Sequence, residues 1–584
     1  SSFNEADPTK VTYTMVIDET NNNGSGVTAT ITAEIRVGLQ DVNDATSASK
    51  GRTLGFYITN VEYAGADTAA KAANRLAHPV DNIAIPNHSL VSVRSTQNEA
   101  KVKGAKLASN TISSGDVEYP AAGNLSSATS KYKEDFFAAF VSNDQLSAGL
   151  SSNSAYAVSG SAGSANYPVR AQFEAKDGDT TTSIGLGSTL WYYDHDITRY
   201  EAGGDKAAEL TAEQKIRSPL ETPYAKVVIA VDDNGNGTVD CQDGAIALRE
   251  TILHIPAGSA NVADAVNLRI SMNFGSMATN PFVIALDTVT RGAAHTDGLG
   301  QFVLLKGYAG EGHDSNHPQY DNIGIRMGGP DDMKTLMEEG EKLGAVFGIH
   351  TNASEFYAEA IDDVKQVRRN SGNVMQYGWN WIDQGIKING VYDYASGLQL
   401  QRWNKLYNIV KGHPFVVYVD VWGNNTSGTE NDFMTRALSQ NIIANGHDQW
   451  RIAHEWSWAN PYESTFQHWV TDYTYGNYSD KGKLNSNVLR FLLNEYKDSF
   501  PADFATFGGA ANAPLLGGPA MQGFEGWQGD GEYDLSIYNT FNQMVATKFL
   551  QHYDIMEWTN ATKPTEMWWW VSANSSSKTA ERTV

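Results

Sequence analysis

The sequence predicts a multidomain chain: an N-terminal all-β sandwich, a (β/α)8 TIM-like barrel, and then the start of a C-terminal β region. Three observations predict it. The stretches VTYTMVIDE (11–19) and VTATITAEIRVGL (27–39) alternate apolar and polar side chains, as half-buried antiparallel strands do. From about residue 266, short apolar runs alternate with amphipathic segments. Several of those apolar runs are bordered by acidic, amide or imidazole side chains.

At 584 residues the chain is too long for one hydrophobic core. The β pattern continues through GRTLGFYITNVEYAG and YPVRAQFEA. Residues 99–165 are rich in Ala, Ser, Gly and Asn and read as long surface loops with little regular structure. The sandwich is assigned to residues 1–258.

The barrel is assigned to residues 259–560. Its strands are expected at LRISMNFG, FVLLKGY, AVFGIHTN, FVVYVDVW, RIAHEWS, VTDYTYG and LQHYDIMEW. Between them, DDMKTLMEEGEKLG (331–344) and LQLQRWNKLYNIVKG (398–412) have helical spacing. Strands alternating with helices over some 300 residues indicate parallel βαβ units, with a doubly wound open sheet as the second choice. In either architecture the carboxyl ends of the strands form the active face.

Polar residues recur at the ends of these runs. His295 and Asp297 lie in AAHTDGLG, His350 and Asn352 end AVFGIHTN, Asp420 ends FVVYVD, and Glu455 follows RIAH. Any one of them could cap a helix, but several on successive strands read as one convergent site. The acidic groups DDM (331–333) and IDDV (361–364) read instead as helix starts or surface charge, and His313 and His468 as structural histidines.

Composition narrows the function. A net charge of −24 argues against nucleic acid, whose phosphates need a basic surface. The 14 Trp and 27 Tyr lean weakly toward sugar binding, because flat aromatic faces suit sugar rings. One cysteine, Cys241, excludes an intrachain disulfide and a cysteine-based zinc site. No apolar run approaches the length needed to cross a bilayer. The opening SSFNEADPTK contains no signal-peptide h-region, as in a cytoplasmic protein or a mature or trimmed form.

Asp420 and Glu455 are 35 residues apart, room for one helix between adjacent strands. Two carboxyl groups at one rim are the usual equipment for cleaving a glycosidic bond, one as nucleophile or base and the other as acid. His454, Trp456 and Trp458 surround Glu455 in the sequence, an apolar setting that would raise its pKa and suit it to the acid role. Trp379 and Trp381 in YGWNWIDQ are two core tryptophans or an aromatic platform over a sugar.

DDNGNGTVDCQD (232–243) has the oxygen-ligand spacing of an EF-hand-type calcium loop. The ligands would be Asp232, Asn234, Asn236, Thr238 and Asp243, with Gly237 at the sharp turn and GAIALRETIL as the following helix. Asp at the twelfth position suits a structural Ca2+ rather than a switch, and no cofactor is expected for catalysis. The alternative is a polar turn that binds nothing.

The blocks FVVYVDVWGN, RIAHEW, AAHTDGLGQFVLLKGY, EGHDSNH, GIHTNASE, YGWNWIDQGI and ESTFQHWVTDYTYGNYSDKG resemble the catalytic region of glycoside hydrolase family 101, the endo-α-N-acetylgalactosaminidases. RISMNFGSMATNPF, GGAANAPLLGG and FEGWQG extend the similarity to near residue 555. The resemblance implies a bacterial secreted or cell-surface enzyme with a barrel flanked by β-sandwiches. It implies release of Galβ1-3GalNAc from Ser or Thr of mucin-type O-glycoproteins, with retention of configuration. Carried over residue by residue, it implies Asp420 as nucleophile and Glu455 as acid/base. It also implies Asp297, Trp379, Trp381, Tyr418 and Gln528 as substrate-binding residues. A monomer without a membrane span is expected.

Two departures stand out. After the acid/base the chain reads SWANPYEST, so the aglycone side is expected to differ. It ends at TEMWWWVSANSSSKTAERTV, so residues 561–584 read as the truncated start of a C-terminal β region. The alternatives kept are an exo-acting or otherwise altered α-galactosaminidase or α-galactosidase on the same scaffold, and a non-catalytic O-glycan-binding fragment.

Overall fold

The computed structural model describes the strands at 10–20, 27–39 and 53–65 and most of residues 82–105, 116–154, 168–192 and 222–251. It further describes most of 264–420, then 450–454, 553–557, 566–569, 582–583 and a few isolated positions. The alternating N-terminal stretches form the antiparallel strands Lys10–Thr20, Val27–Leu39 and Thr53–Gly65. They belong to a nine-stranded sheet, and a second, four-stranded sheet is built on Val169–Ala175 and Thr182–Ser188. Phe56, Val102, Val141 and Leu150 of the larger sheet share one core with Phe136, Ala171, Ile184 and Leu186 of the smaller. The result is the β-rich layered domain that the alternation predicts.

The expectation of little regular structure over 99–165 is corrected. Lys101–Ala105, Asp116–Pro120, Lys133–Phe136, Ala138–Ser142 and Ser147–Ser152 are all strands. The small residues that resemble loop composition here make room for aromatic rings. A Cβ at Gly104 would overlap the Phe136 ring, and one at Gly149 the Phe140 ring. Positions 106–115, 122–132 and 155–167 of this stretch lie outside the described residues.

Helix α1 (Cys241–Thr251) packs on the larger sheet and leads to a parallel sheet. Its strands are β1 (Ala265–Met272), β2 (Gly300–Lys306), β3 (Ala345–Asn352), β4 (Phe415–Asp420) and β5 (Trp450–His454). They pair in sequence order, all parallel. Helix α2 (Phe282–His295) connects β1 to β2, and α3 (Gly329–Glu341) connects β2 to β3. Pro330 in the first turn of α3 fits the helix start, where a missing N–H removes no bond. Asp331, exposed, and Asp332, half-buried, occupy that same turn, where carboxylates suit the helix dipole.

Helices α4 (Gly390–Ala395) and α5 (Leu398–Val410) precede β4. The core between sheet and helices holds Val303, Leu305, Phe347, Ile349, Phe415, Val417 and Trp450 against Val289, Leu336, Trp403 and Leu406. Among the described residues this sheet is five strands wide, with no pairing that closes it.

One C-terminal reading comes out differently. Tyr553–Glu557, expected as another strand of the alternation, pairs antiparallel with Glu566–Trp569 in a separate three-stranded sheet. Glu566–Trp569 is paired on both sides, with Arg582–Thr583 as its other neighbour. VTDYTYG lies outside the described residues.

Candidate active site

Successive residues of a strand face opposite sides of its sheet. Since Leu305, Ile349, Val417 and Val419 face the helices, Lys306, His350, Asn352 and Tyr418 belong to the other face. The register arranges these residues in layers. Met272 pairs with Lys306, Leu305 with Ile349, His350 with Tyr418, and Tyr418 with Ala453. One layer further toward the carboxyl ends, Asn352 pairs with Asp420. The strand Phe415–Asp420 thus ends, with Asp420, at the rim where the parallel strands end.

The layer beneath Asp420 is aromatic and polar. The His350 and Tyr418 rings stack with centroids 5.3 Å apart, and His313 meets His350 edge-on at 4.7 Å. His350 and Tyr418 are fully buried, and His313 nearly so. His317 Nδ1 accepts the Asn352 backbone N–H at 3.0 Å, which places the proton of a neutral ring on Nε2. Asn352 itself starts a turn: its Oδ1 accepts from the backbone N–H groups of Ser354 (2.9 Å) and Glu355 (3.0 Å).

That turn opens an excursion from the rim that returns at α5. It contains a hairpin of Tyr377–Asn380 and Gln384–Lys387, joined to Glu355–Phe356. Trp379 lies on the first hairpin strand, while Trp381 falls in the connection, outside the described residues. Phe356, Ala360, Val367, Ile386 and Ile388 give the excursion a hydrophobic cluster of its own. Asp363 caps the short helical turn after it, accepting from the Lys365 N–H at 3.0 Å and from the Tyr392 hydroxyl at 2.8 Å. The cap N–H and the Tyr392 hydroxyl hold its carboxyl below the usual value. Arg402 of α5, almost wholly buried, pairs with Asp393 of α4 and also reaches Asp362 at 3.4 Å.

His295 and Asp297 are corrected. His295 is the exposed last residue of α2, and Asp297 follows in the turn that enters β2 at Gly300. Asp297 (φ +57°) and Gly298 (φ +79°) reverse the chain there, and the Gly298 carbonyl lies beside Gly344, just before β3 starts. Both residues therefore sit at the amino ends of the strands, opposite Asp420. The polar HTD group precedes its apolar run, and only residues that follow such a run reach the carboxyl rim. Those residues are Lys306, His313 and His317, which the sequence reading did not place in the site. The signal was a lysine closing the apolar run FVLLK. Glu455 and Gln528 lie outside the described residues, Glu455 directly after His454 of β5.

The 232–243 loop turns on Gly235 and Gly237, both at positive φ, where glycine is favoured. Asp232 accepts from the N–H groups of Asn236 (3.1 Å) and Gly237 (2.9 Å), and Asn236 from Thr238 (2.8 Å). Asn234 donates to the Met556 carbonyl at 3.0 Å, which turns its oxygen toward the loop. Asp243, fully buried, accepts from Asp233 and Asp240, yet loss of solvent pushes its carboxyl up to about 6. Among the described residues no three His, Cys, Asp or Glu side chains form a metal cluster. The loop's donors are two carboxylates, two amides and a carbonyl, a hard-oxygen set of the kind calcium takes, and a cation beside Asp243 would offset its desolvation.

Comparison with known proteins matches two families along the chain. A galactose mutarotase-like fold domain matches residues 1–241, and the endo-alpha-N-acetylgalactosaminidase family matches residues 242–537. A curated protein of Renibacterium salmoninarum, provisionally named an endo-alpha-N-acetylgalactosaminidase, is 32% identical over 572 residues. The alignment covers 95% of this chain and 32% of that protein, so the chain spans about a third of its relative's length.

Among solved structures, the ligand-free alpha-N-acetylgalactosaminidase NagBb from Bifidobacterium bifidum aligns with a TM-score of 0.45 at 12% identity, over 98% of this chain and 92% of that one. The GH36 alpha-galactosidase AgaB from Geobacillus stearothermophilus aligns at 0.49 and 9% identity, over 98% and 74%. The family match, over half of the chain, identifies a glycoside hydrolase. The chain belongs to glycoside hydrolase family 101, the endo-α-N-acetylgalactosaminidase family.

Proposed function

We propose that this protein is a retaining endo-α-N-acetylgalactosaminidase that releases Galβ1-3GalNAc from Ser or Thr of mucin-type O-glycoproteins. The observation that carries the proposal is the position of Asp420, at the carboxyl end of β4 and in register with Asn352, in a chain of this family. Val419 pairs with His454, and the proposal takes that register one residue further, to Asp420 and Glu455. Adjacent strands lie ~4.8 Å apart. That spacing suits the ~5–5.5 Å between carboxyl groups that a retaining mechanism needs.

In the proposed double displacement, the Asp420 carboxylate attacks the anomeric carbon as Glu455 protonates the departing Ser or Thr oxygen. A water deprotonated by Glu455 then attacks the same carbon, releasing the disaccharide with its original α configuration and freeing Asp420. His350, Asn352, Tyr418 and Gln528 would contact the sugars, and Trp379 and Trp381 would cover them. The five parallel strands would be part of a (β/α)8 barrel, Ca2+ would occupy the 232–243 loop, and the enzyme would act as a secreted or cell-surface bacterial monomer.

The test is hydrolysis of an aryl α-glycoside of Galβ1-3GalNAc beside that of GalNAc alone, with the released anomer followed by NMR. Rapid release of the α-disaccharide with little turnover of the monosaccharide is expected. Preference for the monosaccharide would instead establish an exo-acting enzyme. Asp420→Ala and Glu455→Ala should each lower kcat by about 10⁴-fold or more while the fold is retained.

A further inference from the structure

The ladder between β2 and β3 runs from Gln301–Ala345 to Leu305–Ile349 and stops there, while β3 continues to Asn352 and stays paired with β4 as far as Asp420. Asn352 is buried, and a buried backbone N–H without an acceptor is costly. A side chain supplies that acceptor: His317 Nδ1 takes the Asn352 N–H at 3.0 Å.

The His317 ring is itself held in place. Tyr308 tilts against it with centroids 6.1 Å apart, and Tyr320 meets it edge-on at 6.4 Å. Both tyrosines are fully buried and His317 nearly so. The Tyr308 hydroxyl donates to the Tyr320 carbonyl at 2.9 Å, joining the two tyrosines that flank His317 in the chain. Tyr320 in turn stacks on Trp403 of α5, with centroids 3.8 Å apart. Close-packed rings have little room to turn, so Nδ1 is presented at a fixed point. Three constraints then meet at Asn352. Its N–H is held by His317, its backbone is in register with Asp420, and its Oδ1 starts the excursion through Ser354 and Glu355.

We propose that His317 is a positioning residue of the hydrolytic reaction: its Nδ1 extends the ladder where β2 has ended, fixing the tip of β3 and through it the backbone of Asp420. The inference rests on the reading of Asp420 as nucleophile. A reacting group must be placed to well within 1 Å, and a misplacement of that size costs about 100-fold in rate.

The experiment uses the stereochemistry of the replacement. An asparagine at 317 puts an acceptor oxygen near the place of Nδ1, whereas a glutamine puts one near the place of Nε2. Steady-state kinetics on the aryl α-disaccharide are compared for wild type, His317→Asn, His317→Gln and His317→Ala, with Asp420→Ala in parallel. Amide hydrogen exchange is followed in the peptide that contains Asn352. His317→Gln and His317→Ala are expected to lose about 100-fold in kcat, with KM little changed and the Asn352 amide exchanging faster. His317→Asn should stay within about tenfold of wild type in kcat and keep the amide protected.

Equal losses in the asparagine and glutamine variants would overturn the proposal, since a merely structural ring would not distinguish them. So would a loss confined to KM, which would make His317 a sugar contact, or a kcat unmoved in all three variants. Should His317→Ala fail to fold by circular dichroism, the asparagine and glutamine pair decides; an unfolded His317→Asn would itself count against the proposal, because the acceptor is there retained. Turnover kept by Asp420→Ala would sink the nucleophile reading and this inference together. An inactive Asp420→Ala beside indistinguishable asparagine and glutamine variants would sink the histidine alone.

Discussion

His350 and Tyr418 are register partners on β3 and β4, and their stacked rings form a buried floor one layer below the pair Asn352 and Asp420. A floor of rings holds its shape because neither side chain has another rotamer free in a filled interior. Under the proposed function, this layer would set the height at which the sugar sits.

Removing the hydroxyl and removing the ring should separate two roles of that floor. Tyr418→Phe keeps the stack and is expected to lower kcat/KM about tenfold, with a stability change within about 1 kcal/mol. Tyr418→Ala leaves a cavity and should destabilise by about 3–5 kcal/mol. Kinetics and denaturant unfolding on the same samples check both.

The loop at 232–243 makes a prediction about ions. Calcium should raise the melting temperature and EDTA should lower it, since an ion bound only by the folded form stabilises that form. Asp243→Asn is expected to abolish the difference. A melting temperature indifferent to both additives would mean that the loop is held by its backbone bonds alone.

Asp393 and Arg402 form an ion pair in which both members are almost wholly buried, and Gln366 adds a 2.9 Å hydrogen bond to the carboxylate. Asp393→Ala would leave a buried guanidinium without that anion. A loss of about 3–5 kcal/mol is expected, read by calorimetry. Arg402→Ala should cost a similar amount.

Asp363 gives a pH dependence of known sign. Its folded-state carboxyl is held below the usual value by the cap N–H first and the Tyr392 hydroxyl after it. A carboxyl depressed in the folded state contributes stability above its unfolded value of about 4, and loses it as the pH falls through the lower folded value. Asp363→Asn should therefore be less stable than wild type at pH 6, and the gap should close toward pH 2–3.

Much of this architecture was legible in the sequence. The helical spacing of 331–344 and 398–412 corresponds to α3 and α5 within a few residues, and AVFGIHTN is β3 residue for residue. The two helical segments are amphipathic and the strand is buried along almost its whole length, so burial selects their structure. The failures came where composition and direction mislead. Residues 138–152 look like loop because their side chains are small, yet small side chains are what lets Phe136 and Phe140 pack there. His295 and Asp297 were assigned to the active rim because they border an apolar run. A parallel strand has a catalytic end and a structural end, and only the order of residues along the chain distinguishes them.

The excursion between β3 and α5 has its own apolar cluster and its own capped turn, and the buried Asp393–Arg402 pair ties it to α5. A connection with a core of its own is less a loop than a small mounted fixture, clamped to the sheet through α5.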